Sequence, residues 1–251
     1  MNRFFSLPRP VIFAHRGASA HAPENTLASF HQALEQEADG IELDAKCTAD
    51  GEVVVMHDAS LVRTTGASGK VWEHTLAEIK QLDAGKWKGA EFTGEGVPTL
   101  RDVFTALGGK LIINVELTNY GHSNDGLVEK VLALAAEFKL EDSILLSSFS
   151  PQNIHRAREI NPQIPAALLA LRGLPGAFSR SRWMVPISPV GLHPYYTDVT
   201  PHLVQVEKMR GRFINVWTVN DPGEIRRLRD LGVDGLFTDD PLLARRVLEG
   251  G

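Results

Sequence analysis

The stretch Gly40-Ile41-Glu42-Leu43-Asp44 places two carboxylates one residue apart at the end of an apolar run. Because successive side chains of a strand point to opposite sides, Glu42 and Asp44 are predicted to share one side of a strand. Polar groups follow other apolar runs in the same way: His15-Arg16-Gly17 after 11–14, His57-Asp58 after 53–56, and Glu116 after 111–115. The pattern predicts strands whose carboxyl ends carry a functional site.

Eight short apolar runs recur along the chain, near residues 11–14, 40–43, 111–115, 143–147, 166–170, 189–192, 213–217 and 234–237. Most are followed by a segment with helical spacing of apolar residues. Four helix starts pair a capping oxygen with proline: Ser150-Pro151, Thr200-Pro201, Asp221-Pro222 and Asp240-Pro241. This alternation predicts an α/β fold with a parallel sheet, a (β/α)8 TIM barrel. An open doubly wound sheet is the alternative, because a sequence does not show strand closure.

The length of 251 residues and the apolar content of 43% suit one barrel, so we predict a single catalytic domain over residues 1–251. Residues 45–98 separate the second run from a helix predicted at 99–107, which is far longer than an ordinary βα loop. We therefore predict a small inserted subdomain after the second strand, with its own strand at 53–56 and helix at 75–82. Trp72 is predicted to lie in the core of this subdomain.

Composition excludes several classes of function. The formal net charge is -5 and the basic residues are scattered, so no surface for nucleic acid is predicted. Cys47 is the only cysteine, which excludes an intramolecular disulfide and a cysteine-based zinc site. No stretch approaches the roughly 18 apolar residues of a membrane span. We expect a soluble cytoplasmic protein that acts on a small molecule.

Three carboxylates, Glu42, Asp44 and Glu116, are predicted to meet at the mouth of the barrel. Without a cation they would repel one another strongly, and oxygen ligands suit a divalent metal ion such as Mg²⁺ or Ca²⁺. His15 and His57 suit proton transfer on either side of an activated bond. Arg16 can bind an anionic oxygen with its guanidinium.

Ten motifs, in one order from His15 to about Leu243, resemble the glycerophosphodiester phosphodiesterase family: His15-Arg16-Gly17, Pro23-Glu24-Asn25-Thr26, Glu42-Leu43-Asp44, Thr48-Ala49-Asp50-Gly51, His57-Asp58, Arg63-Thr64-Thr65, Val97-Pro98-Thr99-Leu100, Glu116, Trp217-Thr218-Val219-Asn220 and Thr238-Asp239. The resemblance implies a barrel with an inserted subdomain, a divalent metal held by the three carboxylates, and acid-base catalysis by His15 and His57. It implies hydrolysis of glycerophosphodiesters to sn-glycerol 3-phosphate and an alcohol through a cyclic phosphate, within lipid and glycerol metabolism.

The chain departs from the family at Thr118, where many members carry a lysine two residues after the third carboxylate. Lys46 lies two residues beyond Asp44, so in a continued strand it faces the same side and could replace that cation. We therefore predict that Arg16, Lys46 and Thr118 contact the phosphate. Trp217 is predicted to line the glycerol or alcohol pocket, and Phe149 and His193 are candidates for the same role.

Two other functions are compatible with this sequence. A barrel lyase would use Lys46 as a Schiff base. A binding protein on the same fold would keep the metal and phosphate site and lack turnover because of Thr118. The sequence leaves open which alcohol is released, which histidine is the acid, which divalent metal binds, and whether the chain forms a homo-oligomer.

Overall fold

A computed structural model describes residues 2–250 of the chain. Nine strands form one sheet: β1 (Val11–His15), β2 (Gly40–Cys47), β3 (Val53–Val55), β4 (Ile112–Leu117), β5 (Ile144–Ser148), β6 (Ala166–Ala170), β7 (Gly191–Pro194), β8 (Phe213–Val216) and β9 (Gly235–Thr238). All except β3 pair in parallel. β1 pairs with both β2 and β9, which closes eight strands into a barrel. The predicted (β/α)8 barrel is confirmed, and the open sheet is excluded.

The helices are α1 (Leu27–Glu35), α2 (Val62–Thr65), α3 (Leu76–Ile79), α4 (Leu100–Leu107), α5 (Leu127–Glu137), α6 (Pro151–Ile160), α7 (Leu174–Ala177), α8 (Pro201–Met209), α9 (Pro222–Leu231) and α10 (Pro241–Glu249). The predicted proline starts are confirmed. Ser150, Thr200, Asp221 and Asp240 each accept a hydrogen bond from the backbone N–H three residues later. Among the helices between residues 2 and 250, none has the length and apolar character needed to cross a bilayer.

Every predicted apolar run overlaps a barrel strand. The runs are continuously apolar because these strands are buried on both faces. Inward-facing side chains fill the lower barrel with an apolar layer that includes Phe13, Leu145, Phe213 and Phe237. Phe4, from a 3-10 turn over Arg3–Ser6, packs on Phe13 and Phe213 at the end where the strands begin. The lower end is therefore closed by apolar packing, and polar groups are concentrated at the opposite end.

The segment between β2 and α4 contains β3, α2 and α3. β3 pairs antiparallel with the end of β2, with Lys46 opposite Val54. The segment has a small apolar cluster of its own, formed by Val54, Met56, Leu61, Val71, Ile79, Ala84 and Val97. Trp72 is outside this cluster, so its predicted core position was wrong. Its ring stacks on His122 at 5.8 Å, because the loop after β4 reaches it across the surface.

Candidate active site

The three predicted metal ligands meet at the carboxyl end of the barrel. Glu42 and Asp44 project from β2, and the register of β2 with β4 places Asp44 beside Glu116. One carboxylate oxygen from each residue lies within 4.8 Å of the others. Three oxygen ligands at this spacing are the donor set that hard divalent ions such as Mg²⁺ and Ca²⁺ prefer.

The electrostatics of this cluster favour a cation. Burial, followed by the charges of Asp44 and Glu116, raises the pKa of Glu42 well above its usual value. Burial, followed by Asp44, raises the pKa of Glu116 to about 8. Burial also acts to raise the pKa of Asp44, but nearby positive charges, above all Arg16, outweigh it and lower that pKa. A divalent cation would relieve the repulsion that opposes ionisation of the two glutamates.

Each carboxylate is held by a donor from a neighbouring loop. The Asn25 side-chain amide donates to Asp44 Oδ2 at 2.9 Å, and the Arg16 backbone N–H donates to Glu42 Oε2 at 3.0 Å. The Tyr120 hydroxyl donates to Glu116 Oε1 at 2.8 Å. These contacts fix the ligand oxygens and leave the remaining oxygens available for an ion.

His15 ends β1, and its Nδ1 lies 2.7 Å from Asp239 Oδ1. Asn220 and Ser19 donate to the same carboxylate, at 2.6 Å and 3.1 Å. Burial raises the pKa of Asp239, but hydrogen bonds, first that of His15, lower it to about 2. Asp239 therefore stays ionised near neutral pH and holds the Nδ1 proton of His15, which leaves Nε2 for proton exchange.

His57 has the same arrangement on a different element. It follows β3, its side chain is 41% exposed, and its Nδ1 lies 2.7 Å from Asp58 Oδ1. Arg63 donates to Asp58 at 2.6 Å and forms a double hydrogen bond with Glu24 at 2.7 Å and 2.8 Å. Glu24 also accepts from Arg16 at 2.9 Å. A continuous ion-pair network therefore joins the loop of His57 to the loop of Arg16.

Arg16 is held beside the carboxylates by a strained turn. Its φ is 58°, in the left-handed region, and Gly17 follows with a φ of 83°. A Cβ on Gly17 would lie 2.3 Å from Ser29 Oγ, so only glycine fits at this position. The turn directs the Arg16 backbone N–H to Glu42, while its guanidinium lies 3.5 Å from Asp44 Oδ2. Arg16 therefore contributes positive charge next to the ligand cluster.

Lys46 and Thr118 contact each other. β2 continues to Cys47, so Lys46 shares a face with Glu42 and Asp44 and is only 4% exposed. Its ammonium donates to the hydroxyl and the backbone carbonyl of Thr118, whose hydroxyl donates to the Ala45 carbonyl at 2.8 Å. Burial lowers the pKa of Lys46, against the opposing charges of Asp44 and Glu116. The Thr118 hydroxyl thus has both a donor and an acceptor partner within the protein.

These groups surround a cavity of about 80 Å³ at the barrel mouth, lined by His15, Arg16, Glu42, His57, Asn114, Glu116, Ser147, Phe149, Leu169, His193, Trp217 and Phe237. Trp217 and Phe149 form an edge-to-face pair at 5.5 Å, and Trp217 donates to the His193 carbonyl at 2.8 Å. The cavity therefore combines a charged side with an aromatic side.

The sequence pattern of the Glycerophosphoryl diester phosphodiesterase family matches residues 15–243. The chain belongs to this family. A glycerophosphodiester phosphodiesterase of Caldanaerobacter subterraneus subsp. tengcongensis is 38% identical over 245 residues, which are 97% of this chain and 100% of that protein. A glycerophosphodiester phosphodiesterase of Bacillus subtilis is 33% identical over 257 residues, covering 96% of this chain and 87% of that protein. The predicted resemblance and the prediction of an enzyme are confirmed.

A solved structure of an Oleispira antarctica phosphodiesterase in complex with the product sn-glycerol-3-phosphate superposes with a TM-score of 0.89. It is 31% identical, and the match covers 99% of this chain and 100% of that chain. The likeness extends over the whole barrel, including the segment between β2 and α4.

Most of the predicted site residues of this family member reach the cavity. His15, Arg16, Glu42, His57, Glu116 and Trp217 line it, and Asp44 has an oxygen within 4.8 Å of oxygens of Glu42 and Glu116. Within residues 2–250, Lys46 and Thr118 are not among the lining groups. The Lys46 amine donates to the hydroxyl and the carbonyl oxygen of Thr118, an arrangement that does not favour the Schiff-base alternative. Phe149 and His193, which were candidates only, do line it.

Sequence reasoning assigned no role to Asp239, Asn25 or Tyr120, which position His15, Asp44 and Glu116. A signal for Asp239 was present. It lies two residues beyond Phe237, so the period of two that placed Asp44 beyond Glu42 also places Asp239 on the inner face of its strand. No comparable spacing marks Tyr120, which lies in the loop after β4.

Proposed function

We propose that this chain hydrolyses glycerophosphodiesters to sn-glycerol 3-phosphate and an alcohol in a reaction that depends on a divalent metal ion and on His15 and His57. The supporting observation is that one arginine, two carboxylate-bound imidazoles and two members of a cluster of three carboxylates line one cavity. The product named in the Oleispira antarctica structure supports the same substrate class.

Glu42, Asp44 and Glu116 would hold the metal ion, with Mg²⁺ or Ca²⁺ as candidates. When bound, such an ion supplies charge neutralisation for the phosphoryl oxygens. Arg16 adds a fixed positive charge on the same side of the cavity. The protein thereby offsets the negative charge that otherwise repels an oxygen nucleophile from a phosphodiester.

The two histidines divide the proton transfers. One imidazole takes the proton of the glycerol 2-hydroxyl as that oxygen attacks phosphorus, and the other protonates the departing alcohol oxygen. The bond between phosphorus and the alcohol breaks, and a cyclic phosphate forms. Water then opens the ring with the proton roles reversed. Asp239 accepts a hydrogen bond from His15 Nδ1, and Asp58 accepts one from His57 Nδ1, so both rings exchange protons through Nε2.

A substrate without the attacking hydroxyl tests this mechanism. We expect no cleavage of the corresponding 1,3-propanediol phosphodiester, which lacks only the glycerol 2-hydroxyl, and full cleavage of the parent glycerophosphodiester. Phosphorus-31 NMR should detect the cyclic phosphate early in the parent reaction. Cleavage of both compounds at similar rates would contradict the cyclic route and support direct attack by water.

We further propose that Lys46 compensates for the lysine that many family members have in place of Thr118. Its ammonium lies among Asp44, Glu116 and Thr118 and lowers the negative charge of the ligand cluster. Thr118 would act by fixing the Lys46 ammonium, since its hydroxyl is already hydrogen-bonded on both sides. The site would then keep one lysine, supplied by β2 and not by the position after β4.

Lys46→Met is expected to lower kcat/KM for glycerophosphodiesters about 10-fold or more, since it removes a buried positive charge that interacts with Asp44 and Glu116 and leaves the ligand cluster more negative. Steady-state kinetics at saturating metal should show a higher KM and a lower kcat. The control is Lys110→Met, at an exposed lysine whose ammonium donates to the carbonyl of Ala106 in α4. Adding Thr118→Lys to Lys46→Met should recover part of the loss. A kinetically silent Lys46→Met would contradict the compensation.

A further inference from the structure

The barrel interior just below the carboxylates is polar, where barrels are usually filled with branched apolar side chains. Asn114, Ser147, His193 and Asn215 project inward from β4, β5, β7 and β8, and each is at most 1% exposed. Asn114 precedes Glu116 by two residues on the same face and pairs in register with Glu42. We call this set the polar floor.

The hydrogen bonds within the polar floor leave three polar atoms without a partner. Asn114 Nδ2 donates to Ser147 Oγ at 2.8 Å, and Asn215 Nδ2 donates to His193 Nε2 at 3.3 Å. Burial lowers the pKa of His193 to about 3, so its ring is neutral, and because its Nε2 accepts from Asn215, its proton is on Nδ1. Between residues 2 and 250 no group bonds to His193 Nδ1, Asn114 Oδ1 or Asn215 Oδ1. One buried donor and two buried acceptors therefore lack partners, which is unfavourable unless a ligand or water supplies them.

Two of these atoms, His193 Nδ1 and Asn114 Oδ1, belong to residues that line the active-site cavity, which Ser147 also lines. The cavity volume of about 80 Å³ is several times the roughly 10–15 Å³ that one water molecule requires. Leu169 and Phe237 border the same space with apolar surface. The free N–H of His193 and the free carbonyl oxygen of Asn114 together match a hydroxyl group, which accepts one hydrogen bond and donates another.

We propose that the polar floor binds the terminal hydroxyl of the glycerol unit, the one that takes no part in the reaction. This inference rests on the proposed function. The 2-hydroxyl must lie near the histidines and the phosphate near Arg16, so the terminal hydroxymethyl group is the remaining polar part of the glycerol unit. The leaving alcohol must depart through the open mouth, whereas the closed lower side of the cavity suits the part that every substrate shares. His193 and Asn114 thereby select glycerol over other diols.

The test uses a phosphodiester of 1,2-propanediol, which keeps the reacting 2-hydroxyl and lacks only the terminal one. We expect the protein to prefer the glycerol compound by about 10²-fold or more in kcat/KM, because a site built to bond a hydroxyl rejects the analogue without it. His193→Phe should reduce this preference to a few-fold, by slowing the glycerol compound while sparing the propanediol compound. The control is His155→Phe, at an exposed histidine of α6.

Asn114→Leu provides a second variant with the same expectation, and thermal unfolding verifies that each variant is folded. Calorimetry supplies a readout without turnover. The protein should bind sn-glycerol 3-phosphate more tightly than 1,2-propanediol phosphate, and this difference in affinity should be smaller in either variant. Equal turnover of both diesters, or full preference retained in folded His193→Phe and Asn114→Leu, would mean that the floor holds only buried water and would overturn the proposal. Absence of turnover on both diesters would contradict the proposed function, and the binding comparison would still decide the subsite.

Discussion

His15→Ala and His57→Ala are each expected to lower kcat by roughly 10²-fold or more, the usual scale for loss of a general acid or base. The two rings occupy equivalent settings, each with Nδ1 against a carboxylate and each bordering the cavity. Turnover of a glycerophosphodiester at saturating substrate and metal measures the effect. His202→Ala is the matched control, because His202 is exposed on α8.

The pH profile of kcat should be bell-shaped. The direction in which activity falls on each side follows from which group acts as the base and which as the acid. The base must be neutral, so activity falls as pH drops through its pKa, and the acid must be protonated, so activity falls as pH rises through its pKa. Burial acts to raise the pKa values of Asp239 and Asp58, but hydrogen bonds outweigh it and lower each to about 2. Neither carboxylate therefore titrates near neutral pH. Each single alanine variant should lose one limb. Near wild-type kcat in either folded variant would remove that histidine from the mechanism.

Removal of metal is expected to abolish turnover, and Mg²⁺ or Ca²⁺ should restore it, since the protein's own charges leave Glu42 and Glu116 with raised pKa values. Glu116→Gln should weaken metal affinity and lower activity at limiting metal by roughly 10-fold or more, while the fold is retained. Titration of metal into chelator-treated protein measures both effects. Glu35→Gln is the control, at an exposed glutamate that ends α1.

The same cluster gives a stability prediction. A carboxyl whose pKa is raised by folding contributes stability below its unfolded pKa and loses it as pH rises through the folded value. For Glu116 that window runs from 4.5 to about 8. Metal-free protein should therefore lose thermal stability across this window, and Glu116→Gln should reduce the loss. Metal should raise the Tm of the unmodified chain at pH 8 more than that of the variant. A Tm unaffected by metal in both would contradict a cation site at these carboxylates.

Much of the barrel was predictable because its signals are local. Runs such as Val11-Ile12-Phe13-Ala14 are apolar on both faces, as strands covered inside and outside must be, and a capping oxygen before proline marks the start of helices such as α6 and α9. Closure was not predictable in this way. It depends on the pairing of β1 with β9, which are more than 200 residues apart, and no single segment carries that information.

In the candidate site, too, the positions set by local signals were predictable and the contacts set by the closed barrel were not. Glu42, Asp44 and Glu116 follow from strand periodicity and from the common position of strand ends. The contact of His15 with Asp239 depends on the closed barrel, and that of Lys46 with Thr118 depends on side-chain packing between β2 and β4. Spacing placed Lys46 on the correct face. It did not show that the ammonium would donate to the hydroxyl and the carbonyl oxygen of Thr118.

The most direct test of the proposed function is release of sn-glycerol 3-phosphate by chelator-treated protein across a panel of glycerophosphodiesters carrying choline, ethanolamine, glycerol or inositol. Assays run without metal, with Mg²⁺ and with Ca²⁺, and the His15→Ala variant serves as the inactive control. We expect metal-dependent release of sn-glycerol 3-phosphate from one or more of these compounds and little release by the variant. No release from any compound at any metal, or equal release by verified metal-free protein, would contradict it.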